Sequence, residues 1–207
     1  MTRQAPVKRL GQILVASTRS FTAQAQELHR PPPLGALVRA EGPLLSTGSG
    51  EAPTAIYAVV MGSQTESVEG RMPVATGWQL RDGAAVLRAE PHLSKLLTTT
   101  FEAAVVAHDA GEGMRVGLAP RPAPLYGFVQ ECGGGAAQAL AASLDFLPLL
   151  LSAAPPGLAE EAAAACLRLL AEGQPDPEAF LLRAGKRLAV LLSRDPARLE
   201  AALRRLA

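Results

Sequence analysis

The 207-residue chain has no asparagine, two cysteines, three lysines and one tryptophan, and only 4% of it is aromatic. Each scarcity excludes something. Cys132 and Cys166 allow one disulfide at most, so no disulfide framework holds this fold, and a reducing compartment, the cytoplasm, is expected. No run of about 18 uncharged apolar residues occurs, so no membrane helix is expected. Residues 144–154 come nearest and contain Asp145 and Pro148. The first residues lead into no apolar stretch, so no secretory signal is expected. Neither sign of charge dominates: 20 Lys and Arg face 19 Asp and Glu, a net charge of +1 that exerts no general pull toward nucleic acid or membrane.

What is present describes a folded chain. Hydrophobic residues are 48% and charged residues 19%, enough apolar material for a core and too little charge for general disorder. The length suits one large domain or two small ones. Seventeen of the twenty basic residues are arginine. With abundant Ala, Leu, Gly and Pro this fits a high-GC genome, and the missing asparagine and Pro-rich loops fit a thermophile.

The pattern changes near residue 133. Before it, β-branched and aromatic residues alternate with polar ones and are punctuated by Gly and Pro. After it, Ala and Leu recur at helical spacing. The expected fold class is α+β: a small N-terminal antiparallel β-barrel over 1–132, with a partly helical insertion at about 63–98, then an all-helical domain of about four helices over 136–207. Strands are expected at 8–17, with Leu10, Ile13 and Val15 apolar, and at 21–26, 37–40, 55–62, 98–108 and 125–132. Residues 42–53 read as a hairpin loop, 66–77 as irregular, and 91–97 as a short helix opened by Pro91. Residues 136–151 read as a helix broken at Pro148. A second helix runs from Pro155-Pro156 to Gly173. Asp176-Pro177 and Asp195-Pro196 carry an N-cap followed by a first-turn proline and open two more. Their apolar faces hold Phe180, Leu181, Ala184, Leu188, Leu191 and Leu192, then Leu199, Ala202, Leu203 and Leu206.

Motifs for enzyme chemistry are sparse. Gly185-Lys186 lies in a helix with no glycine five residues earlier, so it is no phosphate loop. Gly133-Gly134-Gly135 lacks the spaced glycines of a dinucleotide site and reads as a hinge. His29, His92 and His108 are scattered and have no partner at zinc-ligand spacing. His108 and Asp109 are adjacent, which on a strand points them to opposite faces. Ser49 lies in Gly48-Ser49-Gly50 without the context of a nucleophile elbow. Cys132 and Cys166 read as small buried hydrophobes. Glu66, Glu69 and Glu102 are carboxylates that nothing in the sequence gathers. No cofactor, metal or catalytic residue is assigned, and no enzyme activity is expected.

One stretch is uneven. In the first forty residues Arg3, Lys8, Arg9, Arg19, Arg30 and Arg39 face only Glu27. Arg9, Arg19, Arg30 and Arg39 are therefore the candidate contacts for a partner or for nucleic acid. Phe21 is the lone aromatic among them, so stacking on single strands has no support in this stretch.

Residues 8–25 together with 33–40 resemble the opening of the HAS barrel, the HerA–ATP synthase barrel. The matching positions are Gly11, Ser17, Thr18, Phe21, Gly35 and Val38. Tyr57-Ala-Val-Val resembles its next strand, and Arg121-Pro-Ala-Pro-Leu-Tyr the approach to its last. Residues 101–107, 144–150 and 184–192 resemble a stand-alone bacterial version in which a short helical domain follows the barrel. In larger relatives the barrel precedes a nucleotide-hydrolysing motor; here no Walker A sequence is present. The resemblance implies a non-enzymatic adaptor or oligomerisation module, with a HerA-like ATPase or a nuclease as its protein partner and a homo-oligomer as the other outcome. A nucleic-acid-binding accessory protein, using the basic N-terminal strands, is the alternative.

Overall fold

The computed structural model describes residues 8–47, 50–52, 54–70, 76–109, 111 and 113–206. The architecture is α+β, a seven-stranded antiparallel sheet with helices packed against it. The strands are β1 Arg9–Ala16, β2 Ser20–Ala25, β3 Leu37–Glu41, the small hairpin β4 Leu45–Thr47 and β5 Gly50–Ala52, then β6 Ala55–Ser67, β7 Leu97–Asp109, β8 Met114–Val116 and β9 Phe128–Glu131. Six of them pair in a cycle. β1 pairs with β2, β2 with β7, β7 with β6, β6 with β3, β3 with β9, and β9 with β1 again. β8 attaches to β7 outside the cycle.

Alternate residues of the six strands converge in one buried cluster: Ile13, Phe21, Ala23, Val38, Ala40, Ile56, Ala58, Val60, Phe101, Ala103, Val105 and Val129. The many alanines follow from the cycle, because few large side chains fit inside so small a ring. A second cluster covers the other face of β6 and β7. There Tyr57, Val59, Met61, Ala104 and Val106 pack with the helices. β6 and β7 are thus buried on both faces, which explains why they read as continuous apolar runs.

The helices are α1 Gly83–Ala89, α2 Gly134–Ser143, α3 Leu147–Leu151, α4 Leu158–Glu172, α5 Pro177–Leu191 and α6 Pro196–Leu206, with a 3-10 turn at Pro91–Leu96. Both aspartate caps form: Asp176 accepts the Ala179 N–H at 2.9 Å and Asp195 the Arg198 N–H at 3.1 Å. α4 is the central helix. Ala162, Ala163, Cys166 and Leu167 are fully buried, and it contacts α2, α3, α5, α6 and β6. Its first turn holds Glu160, 1% exposed, which accepts from the Gly157 N–H and from Arg198 of α6. Gly35 brings the ring against the same helix. It has φ +80°, and a Cβ there would lie 2.4 Å from the Cys166 nitrogen.

Several expectations need correction. Of the three apolar residues named in the first strand, Val15 is 63% exposed, because the β1–β2 register shifts between Ile13 and Val15 and turns it outward. β6 runs on to Ser67 and pairs with β7 back to Leu97, so part of the expected irregular stretch is a two-stranded arm. α1 lies within the expected partly helical insertion but ahead of the helix placed at 91–97; Asp82 caps it by accepting the Ala85 N–H at 2.7 Å, and it buries no residue. β8 escaped notice at three residues. The last strand starts only at Phe128, since Tyr126 is left-handed at φ +65° and Gly127 N–H closes a turn onto Pro124 O at 3.1 Å. The helical break falls at Leu144, left-handed at φ +56°, and Pro148 sits in the first turn of α3, where its missing N–H costs nothing. Leu203 is 39% exposed. Arg3, Gly48, Ser49, Pro53 and positions 71–75 lie outside the described residues.

Two stability outcomes follow. Gly35→Ala is expected to lower stability by about 2 kcal/mol or more, since backbone must shift at a positive φ; an unchanged Tm would refute the close approach. Glu160→Gln is expected to cost about 3 kcal/mol, because Arg198 loses its buried partner. Burial alone would raise the Glu160 pKa, but the Gly157 N–H and Arg198 outweigh it and hold it below the ordinary value. A lowered folded pKa contributes stability that is present above the unfolded value, about 4.3, and lost as pH falls through the folded one. Urea titrations from neutral to acid pH should show wild type losing this component and the glutamine variant lacking it throughout.

Candidate functional site

The four candidate arginines do not form one cluster. Arg9 and Arg19 stand at opposite ends of β1: Arg9 opens the strand and Arg19 lies in the turn after it. Arg19 borders a hollow of about 390 Å³ with Ser17, Ser20, Leu118, Leu149 and Ser152. Arg30 is exposed and pairs with Glu27 at 3.1 Å. Arg9 and Arg39 are brought together. The register places Arg9 of β1 opposite Gln130 of β9, and Gln130 opposite Arg39 of β3. One cross-strand row therefore reads Arg9, Gln130, Arg39 and, on β6, Tyr57.

Arg9 reaches this row through a bulge. The β1–β9 register shifts between Arg9 and Gly11, so Leu10 packs toward the inner cluster and Arg9 turns outward. Its guanidinium lies 3.9 Å from the centroid of the Phe128 ring, within cation–π range. A cleft of about 540 Å³ runs from here between ring and helices and is bordered by Lys8, Arg9, Arg30, Glu131, Cys132 and Cys166. Lys8 and Glu131 pair across it at 3.4 Å.

Sequence reasoning missed a second feature at the other end of β1. Leu14 and Val15 are consecutive yet both exposed, at 39% and 63%. Beside them stand Leu125 and Tyr126, at 56% and 69%. Tyr126 is fixed by its N–H to Ile13 O at 2.8 Å, and its carbonyl accepts the Gln12 side-chain amide at 2.9 Å. A bulge and a left-handed tyrosine are both unfavourable locally, and together they present four apolar side chains to water. The trace in the sequence was the unbroken apolar run Ile13-Leu14-Val15-Ala16, where a half-buried strand would alternate.

The remaining candidates fall to local roles. His108 Nδ1 is 3.4 Å from Gly117 O, while Asp109 accepts the N–H groups of Gly111 and Gly113 at 2.7 and 3.2 Å, which organises a turn. His92 lies 3.5 Å from Glu90. Glu66 and Glu102 are on neighbouring strands but not paired in register; Glu66 faces Thr98 and Glu102 faces Gly62. Among the described residues no three His, Cys, Asp or Glu side chains gather as a metal site. Among those residues, too, no helix is long and apolar enough to cross a membrane. Burial pushes the Cys132 thiol up to about 11, against a smaller opposing pull from Arg39, and burial pushes Cys166 up to about 12. Both thiols are protonated at neutral pH and poor nucleophiles. No family model matches the chain, and no curated protein matches it.

Alkylation checks the cysteine environments. Under native conditions Cys166 should resist iodoacetamide and Cys132 should react slowly, with both labelled fully in denaturant. Rapid native labelling of Cys166 would show that α4 is not packed against the ring.

Proposed function

We propose that the chain is a non-enzymatic interaction module. In this reading residues 1–132 form a HAS-like barrel, residues 136–207 form its helical cap, and one end of the barrel binds another protein chain. The observation that carries it is the exposed set Leu14, Val15, Leu125 and Tyr126. Isolated apolar residues on a surface are ordinary; four on adjoining segments, held there by a bulge and a left-handed residue, mark a contact surface. The closed order of strand pairing supports a barrel, since closure removes free edges and leaves ends and loops for recognition. Arg19, in the turn after β1, adds a charged rim to this end. The bound chain is first a second copy, and next a HerA-like motor ATPase or nuclease. The reading assigns the module no cofactor.

Two substitutions test it. Tyr126→Gly relieves a left-handed side chain, so stability should stay the same or rise by about 1 kcal/mol while the patch loses its largest member. Val15→Asp puts a charge in the middle of the patch. Sedimentation velocity from low to high micromolar concentration is expected to show self-association in wild type and monomers in both variants, with unchanged circular dichroism. A wild type that stays monomeric and also fails to bind a purified HerA-type ATPase would overturn the reading.

A further inference from the structure

The opposite end of β1 carries a surface of different chemistry. The outer side of β2, β1 and β9 presents Gln24, Gln12 and Phe128 in one cross-strand row. The next row holds Arg9, Gln130 and Arg39. A hollow of about 350 Å³ lies over the first row, and it shares Arg9 and Gln26 with the larger cleft beside it. We infer that this face binds single-stranded nucleic acid, with Phe128 and Arg9 as the stacking platform, Arg9 and Arg39 as phosphate contacts, and Gln24, Gln26 and Gln130 facing base edges.

The argument rests on three observations. First, the Arg9 guanidinium carbon sits over the Phe128 ring, 3.9 Å from its centroid, so the two groups together offer one surface that a base can cover. Bases stack on aromatic rings and on guanidinium planes alike, and they offer their faces only when unpaired. Second, the charges are unevenly committed. Lys8 is paired with Glu131 and Arg30 with Glu27, whereas Arg9 and Arg39 have no ion-pair partner among the described residues. Glu41, two residues along β3 from Arg39, is a further acid on this side. Two guanidinium groups without a carboxylate partner, on strands about 10 Å apart across β9, suit a polyanion better than a single carboxylate. Third, the positions around them carry amides: Gln130 between the two on β9, and on the far side of β1 Gln24 in β2 with Gln26 just after it. Gln24 and Gln26 are exposed and Gln130 half-exposed. Amides donate and accept, which is what base edges require and an apolar protein partner does not. This face meets the apolar end at Gln12, whose side-chain amide donates to Tyr126 O, but it uses none of Leu14, Val15, Leu125 and Tyr126, so the inference does not depend on the interaction-module reading.

Fluorescence anisotropy with labelled single-stranded oligo-dT and oligo-U, titrated with the full chain over a range of salt, tests it. Binding is expected to weaken steeply with salt. Arg9→Gln and Arg39→Gln should each reduce the slope of log affinity against log salt by about 0.7. Phe128→Leu, which keeps the strand apolar, should weaken binding about tenfold or more and leave the slope unchanged. Arg194→Gln, on the exposed turn before α6, is the control and should change nothing. Circular dichroism and Tm accompany each variant, and because Arg9 is exposed its variant stays informative if Phe128→Leu unfolds. The oligo-dT and oligo-U arms decide between DNA and RNA. No binding at low salt would overturn the inference. So would equal affinity for duplex, or binding that Arg194→Gln weakens as much as Arg9→Gln.

Discussion

The structure depends on the double burial of β6 and β7. Their inner residues close the ring with Ile13, Phe21 and Val129, and their outer residues lie under helices, β6 against α4 and β7 against α3. Each fully buried aliphatic or aromatic side chain there contributes about 1.5–3 kcal/mol. Without the helices, Tyr57, Val59 and Met61 would form an apolar stripe on the outside of the ring; without the ring, α4 would have nothing for its alanine face. Gly35 and Glu160 serve this one junction. The first lets the backbone approach α4, and the second ties the start of α4 to α6.

The opposite wall of the ring is left uncovered by helices, and β1 runs along it. Two register shifts in this strand decide what the wall shows. One, near Leu10, turns Arg9 outward beside Phe128; the other, at Leu14, turns Val15 outward beside Tyr126. A regular strand would have hidden Val15 on the same side as Ile13, leaving a shorter apolar end. The same eight residues thus separate a polar, arginine-bearing surface from an apolar one. That separation places two surfaces of different chemistry along one strand.

Much of the fold was legible in the sequence because its signals are local. Alternation over 21–26, caps at Asp176 and Asp195, and the stop at Gly173 act within a few residues, and the structure places elements where they point. Failures came where a neighbour in space overrides the local pattern. Pro148 looked like a helix breaker, but the chain had already turned at Leu144, and the proline simply begins the next helix. The arm beyond Met61 and α1 bury almost nothing, so no hydrophobic period announces them.

The candidate site divides the same way. The sequence by itself determined an excess of arginine in the first forty residues and an apolar, α+β chain, because composition and periodicity are properties of neighbouring residues. Only the tertiary structure decided which arginines meet. Strand pairing sets β9 between β1 and β3, so Phe128 and Gln130, far along the chain, stand between Arg9 and Arg39. The only aromatic within the basic stretch, Phe21, is spent inside the ring. Register is a relation between distant segments, and a single bulged residue changes which side chains face water; neither can be read from a pattern along one strand.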